Sequence, residues 1–333
     1  MLAIAVIGAG RIGRIHASNL AARAADRGDV RLAGICDALP EAAGDLARRL
    51  GVPVLDLDRA LTGADVDAVL IASPTDTHAD FIEQAARAGK AIFCEKPVDL
   101  SAERVAQVVA AVEGAGVPLF IGFNRRFDPN FAALKARIKE GRIGAVEIVT
   151  ILSRDPSPPP ASYVARSGGL FRDMMIHDFD MARFLLEEEP VEVHAVGSSL
   201  VDPEIGAAGD VDTAAVLLKT ASGKIAQISN SRRATYGYDQ RIEVHGSAGL
   251  LRAGNQHETS VELATAEGFT SDPAQAFFLE RYAAAYRLQL EAFVACARGE
   301  AAPSPDGHDG LQAQRLADAA TEAARTGAPV RLS

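Results

Sequence analysis

Two acid–base residues stand four positions apart in the segment Asp173-Met174-Met175-Ile176-His177. This spacing predicts that Asp173 and His177 share one face of a helix. A carboxylate beside a histidine can orient the imidazole ring and stabilise its charged form. Oxidation of an alcohol by hydride transfer needs a base for the hydroxyl proton, and histidine suits that task. A purely structural pair ranks equally on this evidence. The flanking Asp178 and Asp180 are interpreted as solvated or helix-supporting.

A lysine follows a predicted strand in Glu95-Lys96-Pro97. Ligands of open α/β sheets bind beyond the carboxyl ends of the strands, so Lys96 is placed where substrate and cofactor meet. A surface turn is the equally ranked alternative for a Lys-Pro pair. No set of histidines, cysteines or carboxylates has the spacing of a zinc site. The sequence therefore favours a lysine–histidine site without a metal over metal-assisted oxidation.

A glycine motif, Gly8-Ala9-Gly10-Arg11-Ile12-Gly13, lies between a predicted strand and a predicted helix. It fits the G-x-G-x-x-G pattern of dinucleotide-binding proteins. In that pattern Gly8 allows a tight turn, Gly10 lets the backbone approach a pyrophosphate, and Gly13 lets helix and strand pack closely. The free amides of the helix N-terminus, which include those of Arg11 and Ile12, then face the phosphates.

Two further strand ends are predicted to contact the cofactor. Asp37 ends the second strand, 24 positions beyond Gly13, about where a carboxylate binds the ribose 2′-OH. It would repel a 2′-phosphate, and Ala38 follows it where an arginine would suit NADP, so NAD is the predicted cofactor; a turn cap is the alternative role. Ser73-Pro74-Thr75 is placed to touch the nicotinamide half. His78, at the start of the next helix, is interpreted as a supporting or a surface residue.

The elements that position these residues alternate between apolar strands and helices up to residue 122. Such alternation predicts right-handed crossovers and a parallel, doubly wound sheet, which is a Rossmann domain. Strands are predicted at 3–7, 31–36, 66–72, 91–94 and 118–122, and helices at 12–25, 39–50, 77–88 and 101–115.

The pattern changes at residue 123, so we predict two domains, 1–122 for NAD and 123–333 for substrate and oligomerisation. The second is predicted to be α+β, with a large, mostly antiparallel sheet whose open face packs on a sister subunit. The proline-rich stretch 153–162 is predicted to be an exposed loop. Helices are predicted at 129–140, 173–186, 276–298 and 308–326, and strands at 146–152, 191–199, 213–220, 224–232 and 241–246.

The composition excludes some classes of partner. The chain has 333 residues and a formal net charge of -10, which argues against binding to nucleic acid or to an anionic membrane. No apolar run reaches the roughly 20 residues that a membrane span needs, and the N-terminus lacks the features of a signal peptide. The three cysteines are far apart and set among apolar residues. They are typical of reduced thiols in a cytoplasmic protein.

Taken in order, the glycine motif, Ser73-Pro74-Thr75, Glu95-Lys96-Pro97 and Asp173-x-x-x-His177 resemble the glucose–fructose oxidoreductase/inositol dehydrogenase (Gfo/Idh/MocA) family over essentially the whole chain. The longer strings at 122–128 and 173–180 are similar to the inositol 2-dehydrogenases of that family. This resemblance implies NAD-dependent oxidation of myo-inositol to 2-keto-myo-inositol by a homotetramer built through the open sheet face.

The resemblance also implies roles for individual residues. Lys96, Asp173 and His177 would form the catalytic triad and contact the substrate. Glu95 would lie near the nicotinamide ribose, and Arg126 by substrate or cofactor. Asp155 and Tyr236 would approach the polyol, with Tyr238 as the alternative tyrosine. The stretch Ser153-Arg154-Asp155-Pro156 departs from inositol dehydrogenases that place a histidine and an asparagine there.

Two other functions stay open at the level of sequence. The first keeps the chemistry but takes another inositol isomer or a pyranose sugar, since these rings differ in only one or two hydroxyl positions. The second is a non-catalytic dinucleotide-binding sensor, because fold does not fix function. The presence of both Lys96 and His177 disfavours the sensor.

Overall fold

The computed structural model describes residues 1–332, apart from the side chains of Ala161 and Ala165. The chain forms two compact units. The first comprises Met1–Asn124 and Tyr286–Gln314, and the second comprises Arg125–Ala285 and the residues from Arg315 onward. The sequence analysis assigned residues 286–314 to the second domain. Their place in the first unit has a packing reason, because the Phe293 ring lies 5.5 Å from that of Phe93 and 6.0 Å from that of Phe120.

The first unit contains the predicted parallel sheet, with strand order β2-β1-β3-β4-β5. Its strands are almost wholly buried, which explains why they are apolar throughout. The strands are β1 Leu2–Ile7, β2 Val30–Cys36, β3 Ala68–Ile71, β4 Ala91–Cys94 and β5 Leu119–Ile121. The helices between them are α1 Arg11–Arg27, α2 Pro40–Leu50, α3 Leu57–Thr62, α4 His78–Arg87 and α5 Ala102–Ala115, and a 3-10 turn covers Thr75–Thr77.

Local chemistry fixes the ends of these helices. Ser101 caps α5, because its side chain accepts a hydrogen bond from the Arg104 amide. Gly28, in the left-handed conformation, ends α1. Strand β1 lies between β2 on one side and β3 on the other. The carboxyl ends of β1 and β3 therefore flank the point where the strand order reverses. Ligands of such sheets bind at this point.

The second unit contains a seven-stranded sheet of order β11-β10-β6-β9-β8-β7-β14. Its neighbouring strands are antiparallel except for β6 and β9, which run parallel. The strands of this unit are β6 Val146–Arg154, β7 Pro190–Ser198, β8 Thr213–Thr220, β9 Ile225–Ser231, β10 Asp239–Gly246, β11 Gly249–Ala253 and β14 Val330–Arg331, with a separate hairpin of β12 Glu262–Thr265 and β13 Gly268–Ser271. Its helical segments are a 3-10 turn at Asn124–Phe127, α6 Pro129–Lys139, α7 Ala161–Ser167, α8 Gly169–Asp173, α9 Ile176–Leu186, α10 Pro203–Ala207 and α11 Phe278–Arg281. Two long helices, α12 Ala283–Ala297 and α13 Gly307–Thr326, have residues in both units.

One face of the seven-stranded sheet is buried and the other is open. Alternate residues of β8, such as Val216 and Leu218, are buried, whereas Leu217 between them is 49% exposed. Helix α9 packs against β6 and β9. The opposite face presents apolar side chains to solvent, among them Val196, which is 68% exposed. The predicted architecture of a Rossmann domain and an open-faced, mostly antiparallel sheet is confirmed.

Three details of the sequence analysis are wrong. Strand β6 continues to Arg154, and Ser153 is fully buried, so the exposed loop begins later than residue 153. The helix predicted at 173–186 is two helices, and so is the helix predicted at 276–298.

Among the described residues, no helix is both long and apolar enough to cross a membrane.

Candidate active site

The three motif glycines meet three different steric conditions. Gly8 has a φ of +104°, and a Cβ there would lie 2.4 Å from the Ala72 carbonyl oxygen. At Gly13, a Cβ would lie 1.8 Å from the carbonyl oxygen of Gly8, so only glycine lets α1 pack this closely. A Cβ on Gly10 would instead enter open space. Open space beside the N-cap of a helix is what a pyrophosphate requires, and within the described residues no side chain caps this end of α1. The turn therefore fits a dinucleotide.

Asp37 braces the same turn. Its Oδ2 accepts a hydrogen bond from the Ala9 amide at 2.6 Å, and its Oδ1 accepts one from the Leu39 amide at 2.8 Å. The carboxylate lies at the end of β2, is only partly buried, and is joined to the motif itself. It thus caps a turn and also keeps a negative charge at the edge where an adenosine ribose would lie.

The loop after β3 is held by short polar contacts. The hydroxyl oxygens of Ser73 and Thr77 are 2.7 Å apart, and the Thr77 hydroxyl donates to the Pro74 carbonyl. Thr75 begins the 3-10 turn between them. His78 is 2% exposed, and its Nδ1 and Nε2 lie 2.8 Å from the carbonyl oxygens of Pro97 and Ser73, respectively. Burial lowers the pKa of His78, while these two carbonyl oxygens oppose that shift. This histidine joins the loops after β3 and β4.

The turn that carries Lys96 is fixed from both ends. Before it, Glu95 Oε1 accepts a hydrogen bond at 2.7 Å from Nε2 of His16, a fully buried residue of α1. After it, the Pro97 carbonyl faces His78. A Cβ on Gly122 would lie 2.7 Å from Glu95 Oε2, so glycine at that position leaves room for the carboxylate. Lys96 is therefore presented from a rigid strand end of the first unit.

In the second unit, Asp173 and His177 do not share one continuous helix. Asp173 is the last residue of α8, and His177 lies in the first turn of α9. The amide of Met175 bonds to the Leu170 carbonyl, five residues back, so the helical hydrogen-bond register changes between them. Both Met174 and Met175 are buried in this break. The prediction of a single helix face for the pair is wrong.

The Asp173 carboxylate is bound by residues of other elements. Arg232, which directly follows β9, donates to Asp173 Oδ2 at 3.3 and 3.4 Å, and the Tyr163 hydroxyl donates to Oδ1 at 3.3 Å. Asp155, just past β6, is partly buried. Burial raises the pKa of Asp155 to about 6, with a contribution from Asp173, while the Arg232 guanidinium acts in the opposite direction.

Asp178 lies at the centre of a buried hydrogen-bond network, not in solvent. It is paired with Arg125, and its Oδ1 accepts from the Ser153 hydroxyl at 2.7 Å. Its Oδ2 accepts from Asn230 Nδ2 at 3.0 Å. These bonds join α9 to β6, to β9 and to the 3-10 turn before α6, so Asp178 stabilises the second unit. The interpretation of Asp178 as solvated is wrong.

Arg126 has a partner within its own unit. Its Nε and Nη2 bind the two carboxylate oxygens of Asp180 at 2.9 and 2.5 Å, and its guanidinium lies 4.9 Å above the Phe184 ring. Asp180 is fully buried, so it too is not solvated. The structure thus places Arg126 in a bidentate ion pair, which holds its guanidinium in one orientation.

The two tyrosines after β9 differ in burial. Tyr238 is 4% exposed and packs against Phe277 and Tyr282, whereas Tyr236 is 56% exposed and donates from its hydroxyl to Asp239 at 2.8 Å. The Arg154 guanidinium binds the Ser229 carbonyl at 2.5 Å and the Ser229 hydroxyl at 3.0 Å. Tyr236 is thus the tyrosine with a side chain open to a ligand, and Arg154 is tied to β9.

Sequence analysis missed three residues of these sites: Arg232, Arg125 and His16. Arg232 follows a strand whose parallel neighbour β6 lies more than 70 residues earlier in the chain, and no local pattern indicates that pairing. The sequence does show charged residues clustered at 125–128 and at 178–180, and these clusters could have indicated an ion pair of Arg125. Among the described residues, no group of three histidines, cysteines or carboxylates is arranged to hold a metal ion.

Comparison with known proteins assigns both parts of the chain to one set of family models. Residues 2–123 match the Gfo/Idh/MocA model described as "Oxidoreductase family, NAD-binding Rossmann fold". Residues 135–332 match the companion model, "Oxidoreductase family, C-terminal alpha/beta domain".

Individual relatives are similar over nearly their full length. An inositol 2-dehydrogenase of Rhizobium meliloti (strain 1021) is 56% identical, covering 95% of this chain and 94% of its own. The crystal structure of a myo-inositol dehydrogenase from Corynebacterium glutamicum is 43% identical, with a TM-score of 0.94 and coverage of 100% of this chain and 99% of its own. A scyllo-inositol dehydrogenase from Lactobacillus casei, solved with NAD(H) and scyllo-inositol, is 31% identical, with a TM-score of 0.92 and coverage of 99% of each chain.

Proposed function

The chain belongs to the Gfo/Idh/MocA oxidoreductase family, and from that membership we propose that it oxidises myo-inositol to 2-keto-myo-inositol (scyllo-inosose) with NAD. The observation that carries the proposal is the 56% identity, over 95% of the chain, to an inositol 2-dehydrogenase. The glycine turn supports the cofactor assignment, since its Gly10 leaves open space beside the helix N-terminus.

We propose Lys96, Asp173 and His177 as the catalytic residues. His177 takes the proton of the reacting hydroxyl. Lys96 donates a hydrogen bond to the same oxygen and stabilises the negative charge that develops on it. Asp173, held by Arg232 and Tyr163, orients the histidine. NAD, when bound, accepts the hydride from the carbon that carries this hydroxyl.

The cofactor residues proposed from the sequence keep their roles here. The amides of Gly10, Arg11, Ile12 and Gly13 bind the pyrophosphate, and Asp37 binds the adenosine ribose. The negative charge of Asp37 favours NAD over NADP. We propose the loop of Ser73 and Thr75, together with Glu95, as contacts of the nicotinamide half.

For the polyol we propose Asp155, Tyr236 and Arg126 as binding residues, beside the catalytic three. Carboxylate and phenol oxygens accept and donate the hydrogen bonds that ring hydroxyls need. The exposure of the Tyr236 side chain supports its choice over Tyr238. The ion pair with Asp180 holds Arg126 rigid, which favours a positioning part for it.

We propose a cytoplasmic homotetramer in which residues 1–122, together with residues 286–314 of the same unit, form the NAD-binding part, and the other residues serve substrate and assembly. The open face of the seven-stranded sheet supports the assembly. A groove of about 490 Å³ on it is lined mainly by apolar side chains, including Val196 and Leu217. Apolar side chains that are exposed together on one face favour an interaction with another protein surface. Cys36, Cys94 and Cys296 are buried free thiols, as is typical of a reducing compartment.

The competing substrate is another inositol isomer, scyllo-inositol above all, because a relative of 31% identity was solved with it. The test follows NADH formation by purified protein with myo-, scyllo- and chiro-inositol and glucose, each with NAD and with NADP. We expect turnover with NAD and a preference for myo-inositol. A preference for another ring would overturn the substrate while keeping the chemistry.

A non-catalytic sensor is tested with Lys96→Met and His177→Ala. Because each change removes a group that acts on the reacting oxygen, we expect kcat to fall about 10²–10⁴-fold while NAD still binds. Lys139→Met, an exposed lysine on α6, is the matched control and should leave kcat unchanged. Wild-type protein that binds NAD tightly and turns over none of the four rings would support the sensor.

A further inference from the structure

Arg232 is a fully charged side chain placed in the interior. It is 2% exposed, yet it directly follows β9 and precedes Arg233, which is exposed. A buried guanidinium is costly unless anions and hydrogen-bond acceptors surround it. The acceptor seen here is Asp173, which takes bonds from Nη1 at 3.4 Å and from Nη2 at 3.3 Å. The two terminal nitrogens of Arg232 therefore face a carboxylate, whereas its buried Nε has no hydrogen-bond partner among the described residues.

The sheet brings a second carboxylate to the same place. Strands β6 and β9 are parallel neighbours, with Arg154 opposite Ser231. The Asp155 amide donates to the Ser231 carbonyl at 3.0 Å, so the next residue of each chain segment, Asp155 and Arg232, leaves the same edge of the sheet. Parallel pairing is what puts both carboxyl ends together.

We infer that Arg232 is a positioning residue, which holds Asp155 and Asp173 beside each other in the site by neutralising their mutual repulsion. The inference rests on the proposed function, in which Asp173 orients the base and Asp155 binds the polyol. Two carboxylates at one site repel each other, and a guanidinium that binds Asp173 and lowers the pKa of Asp155 offsets this. A neutral residue at 232 would leave the pair to separate or to take up a proton.

The charged groups around Asp155 determine whether loss of Arg232 raises or lowers the pKa of Asp155. Arg232 and Arg125 are the cations that act on it, and Asp173 and Asp178 are the anions. Asp173 itself faces Arg232 and the Tyr163 hydroxyl. Because Arg125 is committed to its pair with Asp178, loss of Arg232 leaves Asp155 with net repulsion. The pKa of Asp155, about 6, then rises further.

The kinetic test compares Arg232→Gln, Arg232→Lys and the control Arg233→Gln. The control removes the same charge one residue away, from an exposed side chain. For Arg232→Gln we expect a loss of at least about tenfold in kcat/KM for the polyol at neutral pH, with the acid limb of the pH profile moved to higher pH. Arg232→Lys should recover part of the loss, and Arg233→Gln should match the wild type. The Kd of NAD should be unchanged in all three.

A second measurement does not depend on turnover. Proteins labelled with ¹³C at aspartate carboxyls are titrated by NMR, and the Asp155 signal is assigned with Asp155→Asn. The inference predicts a midpoint near 6 in wild type and Arg233→Gln, and a higher one in Arg232→Gln. If Arg232→Gln fails to fold, Arg232→Lys, whose ammonium lacks the planar fork, is judged by its kinetics alone.

The outcomes separate the two proposals. Equal pH profiles and equal Asp155 midpoints in Arg232→Gln and Arg233→Gln would overturn the inference, even with an active enzyme. If only Arg232→Lys folds, full wild-type kcat/KM in that variant would overturn it. Absence of wild-type turnover with every ring would instead overturn the proposed function, and the NMR midpoints would still decide whether Arg232 holds the two carboxylates.

Discussion

At the scale of single residues, Asp155 carries a carboxylate whose surroundings disfavour its charge. Burial raises the pKa of Asp155 to about 6 from an ordinary value of 3.8. The folded protein therefore binds this proton more tightly than the unfolded chain does. Asp155 contributes stability that is fully present below pH 3.8 and is lost as the pH rises through about 6.

Asp155→Asn should accordingly stabilise the fold at alkaline pH. The shift from 3.8 to about 6 corresponds to about 3 kcal/mol at most, and partial exposure reduces the expected gain to roughly 1–2 kcal/mol. Urea unfolding measures the gain, which should be largest above about pH 7 and should shrink toward about pH 4. Glu267→Gln, in the exposed turn between β12 and β13, is the control and should show no such trend. A gain that is equal at all pH values would contradict the assignment.

The candidate residues of the first unit could be proposed from the sequence because their signals are local. The glycine turn and Asp37 lie within one strand–helix–strand unit, where spacing alone fixes geometry. The sequence did not indicate the roles of Arg232 and Asp178, because their partners are far away in the sequence. Asp178 pairs with Arg125, and neither residue's neighbours indicate that both are buried.

At the scale of elements, two glycines at the junction of β1 and α1 have different tasks. Gly13 allows close packing, and Gly10 leaves space for the ligand. Gly13→Ala would place a Cβ 1.8 Å from the Gly8 carbonyl oxygen, so we expect a lower free energy of unfolding and loss of NAD binding. Gly10→Ala meets no protein atom within 4 Å, and its φ of -69° suits any residue. We expect it to fold normally and to bind NAD at least about tenfold more weakly, because the methyl group occupies the space for the pyrophosphate.

Calorimetric titration with NAD and thermal unfolding measure the two effects. Gly44→Ala, inside α2 with open space around it, is the matched control and should retain NAD affinity. Its stability should rise slightly, by up to about 1 kcal/mol, as expected for glycine to alanine in a helix. Normal NAD affinity in Gly10→Ala would show that the cofactor does not lie against this turn.

A helix boundary that depends on a local capping residue is visible in the sequence. A helix break inside a run of good helix formers is not. Ser101 begins α5 by chemistry that is visible in the sequence, whereas α1, predicted to end at residue 25, continues to Arg27 and ends at Gly28. The break between α8 and α9 falls at Met174 and Met175, which are good helix formers. Both methionines are buried in the folded unit, and nothing in their residue types indicates a break there.

At the scale of the whole molecule, the proposed homotetramer is assembled through the open sheet face. Val196→Lys and Leu217→Glu place charges on apolar, exposed positions of this face, and we expect them to convert the tetramer into smaller species. Sedimentation velocity measures the change. Leu288→Lys alters a leucine of α12 that is 41% exposed and should leave the tetramer intact. Wild-type protein that sediments as a monomer would contradict the proposed assembly.

The distribution of the chain between the two units was only partly predictable. The change of pattern near residue 122 is visible in the sequence and lies close to the observed division after Asn124. The sequence does not show that residues 286–314 belong to the first unit, since alanine-rich helices pack against many surfaces. Phe293 packs against Phe93 and Phe120, which lie 200 and 173 residues earlier in the chain.

We propose that hydride passes from the ring carbon that carries the reacting hydroxyl to NAD. It is tested most directly with myo-inositol deuterated at C2, NAD and the wild-type protein, followed by mass analysis of the reduced cofactor and of the ketone. We predict that the reduced cofactor gains one deuterium and that the product is the 2-ketone without label. Reduced cofactor without deuterium, or a ketone at another carbon, would contradict it.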